Sequence, residues 1–344
     1  MRALVKTAQG QGHLELREVP LPHAEAGEVL VQVRACGICG SDLKLQDDEH
    51  PYTPPVVIGH EFSGEIVEVG AGVSAWKVGD RVVSEQHFKA CGRCRQCLTG
   101  NAFACSSKRA PGYFSDGAFA EYIRVPAWLL HLIPENLGFV EAAFTEPSAV
   151  AAHGMLDRTG IDPEDVVVIL GCGPIGLAAA KMAQAEGASR VIITGIERDE
   201  IARLPKAREL GIDHVINVMK ENLPGLVNDL THGEGADVVI ELSGALPAIS
   251  QAFTLARRLG RVGIIGQPPM DEIKIPYRPA LFRALTVSFS YSSKFTSWER
   301  VLSLFRRGAI KPSQFITHVL PLADWERGFD LSRSGEAVKV VLEP

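Results

Sequence analysis

Apolar and polar positions change rhythm once along the chain, near residue 165. Before about residue 130 they alternate in short runs, at 29–34, 61–69 and 80–84 among others. Alternation of that kind predicts strands with one buried face. Gly59, Gly64, Gly70, Gly72 and Gly79 interrupt the stretch, which predicts a compact, mostly β unit with long loops. From Asp165 onward the apolar runs are unbroken. Residues 166–170 are apolar throughout, as in a strand buried on both faces. A glycine turn follows, then a helix over 174–186, a strand over 190–194, a helix over 201–210 and a strand over 214–217. A strand over 237–241, a helix over 246–259 and a strand over 261–265 continue the series. Such alternation implies βαβ units and a parallel sheet covered on both sides, an α/β fold. After residue 289 come a helix over 297–307 and a strand over 337–342. That tail is too short for a domain and is expected to rejoin another part of the chain.

Composition narrows the class. At 344 residues the chain suits about two domains. Its net charge of −6 argues against a nucleic-acid partner, since phosphate binding needs a positive field. There is no apolar run of about 18 residues, so no membrane-spanning helix is expected. The first ten residues carry Arg2 and Lys6 without a long apolar stretch, so no signal peptide is expected and a cytoplasmic location follows. Seven cysteines without an export signal point to metal rather than to disulfides.

Cys91, Cys94, Cys97 and Cys105 place four thiolates close together in sequence. Two-residue gaps let thiolates converge on one tetrahedral zinc, and four sulfurs leave no open position, so the metal is structural. Lys89, Arg93, Arg95, Lys108 and Arg109 surround the cluster and offset its negative charge. A redox pair, an iron–sulfur cluster and a nucleic-acid-binding zinc ribbon are the competing readings. The acidic chain and the lack of stacking aromatics weigh against the last.

A second constellation is spread wider. Cys39 lies in Cys36-Gly-Ile-Cys39-Gly-Ser41-Asp42, His60 and Glu61 follow Gly59, and Glu146 precedes Pro147 at a helix start. Three or four ligands from distant segments are what an open, catalytic zinc uses. Singly, each has a plainer explanation: a core histidine, a helix-start carboxylate, a thiol switch.

Gly171-Cys172-Gly173-Pro174-Ile175-Gly176 follows a predicted strand and opens a predicted helix. That context makes it a dinucleotide loop. Gly171 allows the tight turn, Gly173 clears the approach of the pyrophosphate, and Gly176 lets helix and strand pack closely. The acid that would hold the ribose 2′-OH of NAD is expected after the second strand, where Gly195 stands. Glu197 is two residues late and favours NAD. Arg198 or Arg203 would instead pair with the 2′-phosphate of NADP. The balance leans to NAD, with NADP the alternative.

Together these residues resemble the zinc-dependent medium-chain dehydrogenases, within them the polyol (sorbitol) and threonine branch. The likeness runs over essentially the whole chain, through residues 37–42, 59–62, the four-cysteine lobe, 145–147, 171–176 and 338–340. It implies a GroES-like catalytic domain over 1–150 and 290–344 with a zinc lobe at about 88–108. It implies a Rossmann domain, a doubly wound parallel sheet, over 151–289. It also implies a catalytic zinc on Cys39 and His60, with Glu61 and Glu146 as alternative carboxylate ligands, making about two zinc ions per chain. Ser243 and Gly244 match a loop that touches the cofactor in relatives. Ser41 is the expected proton acceptor. Three residues on, where the family often has a relay histidine, this chain has Lys44. The stretch 197–203 is about three residues longer than usual. The implied activity is oxidation of a secondary alcohol, a polyol or sugar alcohol, to a ketone with hydride transfer to NAD(P). The alternatives are an L-threonine dehydrogenase and a non-catalytic NAD(P)- and zinc-binding protein. Tyr52, Phe114, Tyr291 and Trp298 are candidates to line a substrate pocket, though each taken singly reads better as an ordinary core or surface aromatic, and Cys36 and Cys172 are expected to be packing residues. A homo-oligomer is expected, a tetramer rather than a dimer.

Overall fold

The computed structural model describes residues 1–344. It divides into two compact units, Met1–Glu146 with Lys294–Pro344, and Pro147–Ser293. No helix is long and apolar enough to cross a membrane.

The first unit begins with β1 (Arg2–Lys6), β2 (Leu14–Glu18), β3 (Glu28–Gly37), β4 (Val56–Val57), β5 (Glu61–Val69), β6 (Arg81–Ser84), β7 (Tyr122–Pro126) and β8 (Leu130–Leu132). Strand β3 alternates, with Val29, Val31, Val33 and Ala35 buried, and pairs antiparallel with both β5 and β7. The β3–β5 register sets Gly37 opposite Glu61 and Cys36 opposite Phe62. That register brings the end of β3 and the start of β5 to one place, where the metal-ligand candidates lie. A short helix, Gly40–Gln46, follows β3; the hydrophobic pattern did not predict it, because its seven residues span under two turns.

The second unit holds β9 (Val166–Leu170), β10 (Arg190–Gly195), β11 (His214–Asn217), β12 (Ala236–Glu241), β13 (Ala256–Ile264) and β14 (Thr286–Phe289). They form one sheet in the order β11-β10-β9-β12-β13-β14, and every pairing in it is parallel. Residues 167–170 of β9 are at most 1% exposed, which accounts for its unbroken apolar run. The predicted helix over 246–259 stops early, at Leu255. Ala256 pairs instead with Ala236 of β12, and Leu259 takes a left-handed φ of 60° while its N–H reaches the Arg283 carbonyl at 2.7 Å. Pairing with the neighbouring strand β12 overrides the helical periodicity there.

The chain then returns to the first unit with the helix Phe295–Arg306, β15 (Ile316–Pro321) and β16 (Lys339–Glu343). Strand β16 pairs with β3 at Gly37 and Cys36, so residues from the two ends of the sequence meet beside Cys39.

Candidate active site and cofactor loop

Strand β3 delivers Cys39 just before the helix Gly40–Gln46. The Cys39 N–H donates to Asp42 Oδ2 at 2.8 Å, so a carboxylate caps that helix and fixes the ligand's backbone. Asp42 is fully buried, and its Oδ1 faces His60 Nδ1 at 3.5 Å. A carboxylate on one imidazole nitrogen leaves the other for a metal. Glu61 opens β5 next door. Ligand atoms of Cys39, His60 and Glu61 all lie within 4.8 Å of one another, a sulfur, nitrogen and oxygen set that suits zinc. Burial pulls the His60 pKa down, but the charge and hydrogen bond of Asp42 outweigh it and hold it well above the ordinary range.

Glu146 starts the helix Thr145–Ala152 and is 6% exposed. It falls outside the group of three, yet the charge of Glu61 reaches it. Burial first, and Glu61 second, push its pKa up to about 7. Two cations answer this acidity. Lys339 of β16 is 2% exposed; its Nζ pairs with Glu61 and donates to the Ile38 carbonyl at 2.7 Å. Lys108 is drawn down to about 8 by burial, against the pull of Glu146. Gly37 makes room for the first pair, since a Cβ there would meet Glu61 Oε2 and Lys339 Cε.

Ser41 lies in the same short helix, and its Oγ is 2.6 Å from the Tyr113 hydroxyl. That hydroxyl is also 3.2 Å from His60 Nδ1, and the Tyr113 ring stacks on His50 at 4.5 Å between centroids. Lys44 stands three residues after Ser41, in the last turn of the helix. Tyr113 was missed in the sequence, and Asp42 and Lys339 were noted there only within longer motifs, with no role of their own. Only the placement of Asp42 three residues after Cys39, an N-terminal capping pattern, was a usable signal.

Of the four candidate pocket aromatics, Tyr52 and Trp298 lie in core packing. The Tyr52 hydroxyl donates to Asp48 at 2.6 Å. Trp298 is buried and stacks on His131 with centroids 5.5 Å apart. Phe114 and Tyr291 are exposed, one in each unit.

In the cysteine lobe, Cys94 and Cys97 sulfurs are 3.5 Å apart and those of Cys91 and Cys105 are 3.7 Å apart. Four sulfurs at about 2.3 Å from one zinc stand about 3.8 Å from each other, so the lobe fits that ion. Backbone N–H groups, that of Cys91 foremost, lower Cys105 to about 6, which favours the thiolate a metal needs.

The second unit carries the glycine loop. Gly171 has φ +113°, a region that favours glycine, and its N–H donates to the Thr194 carbonyl at 3.2 Å. A Cβ at Gly176 would sit 2.0 Å from the Gly171 carbonyl oxygen, whereas a Cβ at Gly173 would meet nothing within 4 Å. The loop is therefore closed where the helix packs and open where a pyrophosphate would approach. Pro174 begins the helix Pro174–Ala185, whose first N–H groups suit an anion. Ile175 is half-buried in that first turn. Ser243 and Gly244 are held by the fully buried Glu241, which accepts from their N–H groups at 2.8 and 2.9 Å. Glu241 too was missed in the sequence, where it looked like the last residue of a strand.

Comparison with known proteins agrees with this geometry. The family model for the alcohol dehydrogenase GroES-like domain matches residues 25–135, and that for zinc-binding dehydrogenases matches 174–307. A sorbitol dehydrogenase of Halalkalibacterium halodurans is 40% identical over 344 residues, covering 100% of this chain and 99% of that one. An L-threonine 3-dehydrogenase of Bacillus licheniformis is 39% identical over 349 residues, covering 100% and 99%. Among solved structures, a zinc-binding dehydrogenase of Sinorhizobium meliloti 1021 bound to NADP matches with TM-score 0.90 and 34% identity, covering 100% and 99%. The chain belongs to the zinc-dependent medium-chain dehydrogenases, in their polyol and threonine branch. It is accordingly a zinc-dependent, NAD(P)-dependent alcohol dehydrogenase.

Proposed function

We propose that the enzyme oxidises a secondary alcohol of a polyol or sugar alcohol to the ketone. The observation that carries this reading is the convergence of Cys39, His60 and Glu61 within 4.8 Å beside a serine hydroxyl. The buried carboxylates Glu61 and Glu146, and the polyol dehydrogenase likeness, favour a substrate rich in hydroxyls over a simple alcohol. Cys39, His60 and Glu61 would hold the catalytic zinc, with Glu146 as the exchanging carboxylate. Cys91, Cys94, Cys97 and Cys105 would hold the structural one. When bound, zinc acidifies a hydroxyl and the dinucleotide accepts a hydride.

The remaining work falls to this chain's own side chains. Ser41 Oγ takes the proton of the substrate hydroxyl. Tyr113, 2.6 Å away, orients that Oγ. As it takes that proton, Ser41 releases its own to water, and Lys44, on the same helix face three residues on, marks the outward end of that route. Asp42 keeps His60 in one tautomer. The glycine loop, with Ser243 and Gly244, positions the dinucleotide. A cytoplasmic homo-oligomer, a tetramer rather than a dimer, is proposed on the resemblance alone.

Metal analysis combined with a screen of polyols, sugar alcohols and L-threonine, each with NAD and NADP, tests the reading. About two zinc ions per chain and turnover of a polyol are expected. A preference for L-threonine would move the assignment to the amino-alcohol side of the branch, and absence of zinc would overturn the active site. Tyr113→Phe is expected to lower kcat about fivefold to tenfold, the worth of one neutral hydrogen bond, with KM little changed. An unaltered kcat would remove Tyr113 from the proton path.

A further inference from the structure

Dinucleotide-binding folds tell NAD from NADP at the end of the second strand. An acid there accepts from the ribose 2′-OH, while an arginine nearby takes the 2′-phosphate. In this chain that strand is β10, and no acid can occupy its end. A Cβ on Gly195 would lie 2.6 Å from Cys172 Sγ, 2.9 Å from Leu204 Cδ2 and 3.1 Å from Asp199 Cβ. The thiol of the glycine loop fills the space a side chain at 195 would need, so Cys172 and Gly195 are one packing solution.

The acids that follow are already engaged. Asp199 is buried; its Oδ2 accepts from the Ile196 N–H at 2.9 Å and its Oδ1 from Arg203 at 3.1 Å. Glu200 accepts from Arg208 at 3.1 Å and from Asn217 at 3.2 Å. Glu197 pairs with Lys220 at 2.9 Å and accepts from Asn217 at 3.3 Å. Arg198 differs from its neighbours in the turn. It is exposed, and its guanidinium makes no hydrogen bond or ion pair. One loose arginine, three residues past the strand end and with no carboxylate of its own, is the group a phosphate dianion would complete.

We propose that Arg198 is the 2′-phosphate contact of this enzyme and that the turn after β10 makes it prefer NADP over NAD. The inference rests on the dehydrogenase reading above and names which dinucleotide that site takes. The Glu197–Lys220 pair is exposed on both sides, at 65% and 57% of their side chains. Such pairs contribute little, so Glu197 is the acid most easily released toward a ribose and must be tested alongside.

Calorimetric titration of the purified protein with NADP⁺, NAD⁺, 2′,5′-ADP and 5′-AMP provides the test, without need of substrate. The expected result is tighter binding of NADP⁺ than NAD⁺ and of 2′,5′-ADP than 5′-AMP, by about tenfold or more, as a charge-assisted contact gives. Arg198→Ala should remove most of that difference and leave NAD⁺ affinity within about twofold. Arg198→Lys should restore part of it. Glu197→Gln should leave NADP⁺ binding equal or tighter. Equal binding of the two dinucleotides by the unmodified protein would overturn the proposal, as would an Arg198→Ala protein that keeps the preference. So would a Glu197→Gln protein that loses NAD⁺ affinity tenfold. Failure to bind any of the four nucleotides would overturn the dehydrogenase reading itself, and this inference with it.

Discussion

Replacing Cys39 with serine is expected to lower kcat/KM by about three orders of magnitude or more, because a metal's charge stabilisation at a reacting oxygen is worth several kcal/mol. Serine keeps nearly the same volume but presents a neutral hydroxyl in place of a thiolate, a far poorer zinc ligand. The backbone should be undisturbed, since the Asp42 carboxylate is held by the Cys39 N–H and not by its sulfur. The glycine loop belongs to the other compact unit, so nucleotide affinity should be unchanged. Zinc content should fall from about two ions to about one, the four-cysteine lobe keeping its own. Steady-state kinetics, metal analysis and a dinucleotide titration on the same preparation check all three points. Full activity in Cys39→Ser would remove this residue from the reaction.

Much of that centre was legible in the sequence. Cys39, His60 and the four-cysteine lobe carry ligand chemistry in recognisable spacing, and the glycine loop has a strand before it and a helix after it. Which of Glu61 and Glu146 lies closer to Cys39 and His60 was not legible, because it depends on register. Gly37 opposite Glu61 turns that carboxylate toward Cys39, and no local pattern encodes a pairing between strands. Tyr113 was hidden for a similar reason: an aromatic in a Gly/Pro-rich loop has no periodicity to place it. The helix predicted over 246–259 failed where its last residues exchanged helical hydrogen bonds for pairing with β12. Gly195 was read as a missing acid, and the structure adds the cause, a buried thiol already in the space. In each case the sequence carried chemistry and period, while the arrangement came from contacts between distant segments.

Lys339 makes the same point with a stability effect large enough to measure. It lies at the far end of the chain from Glu61, yet its ammonium is buried against that carboxylate. Burial alone would pull its pKa down, but Glu61, and more weakly Cys39 and Glu146, hold it above the ordinary lysine value. The cation therefore stays charged and offsets two buried carboxylates at 1% and 6% exposure. Lys339→Met keeps the length and much of the packing of the side chain while deleting the charge. Glu61 is then left buried without its cation, and a broken buried pair costs about 3–5 kcal/mol. The expected result is a loss of that size in urea unfolding of the first unit in chelator-stripped protein. Lys339→Arg should retain most of the stability, since a guanidinium also pairs with a carboxylate. In zinc-loaded protein the loss should shrink, because a dication beside Glu61 supplies the charge that lysine no longer does. A loss below about 1 kcal/mol in the stripped Lys339→Met protein, well under the cost of an orphaned buried charge, would mean that Glu61 takes up a proton or water without strain. The lysine would then be a packing residue, and the carboxylate would need no partner before the metal arrives.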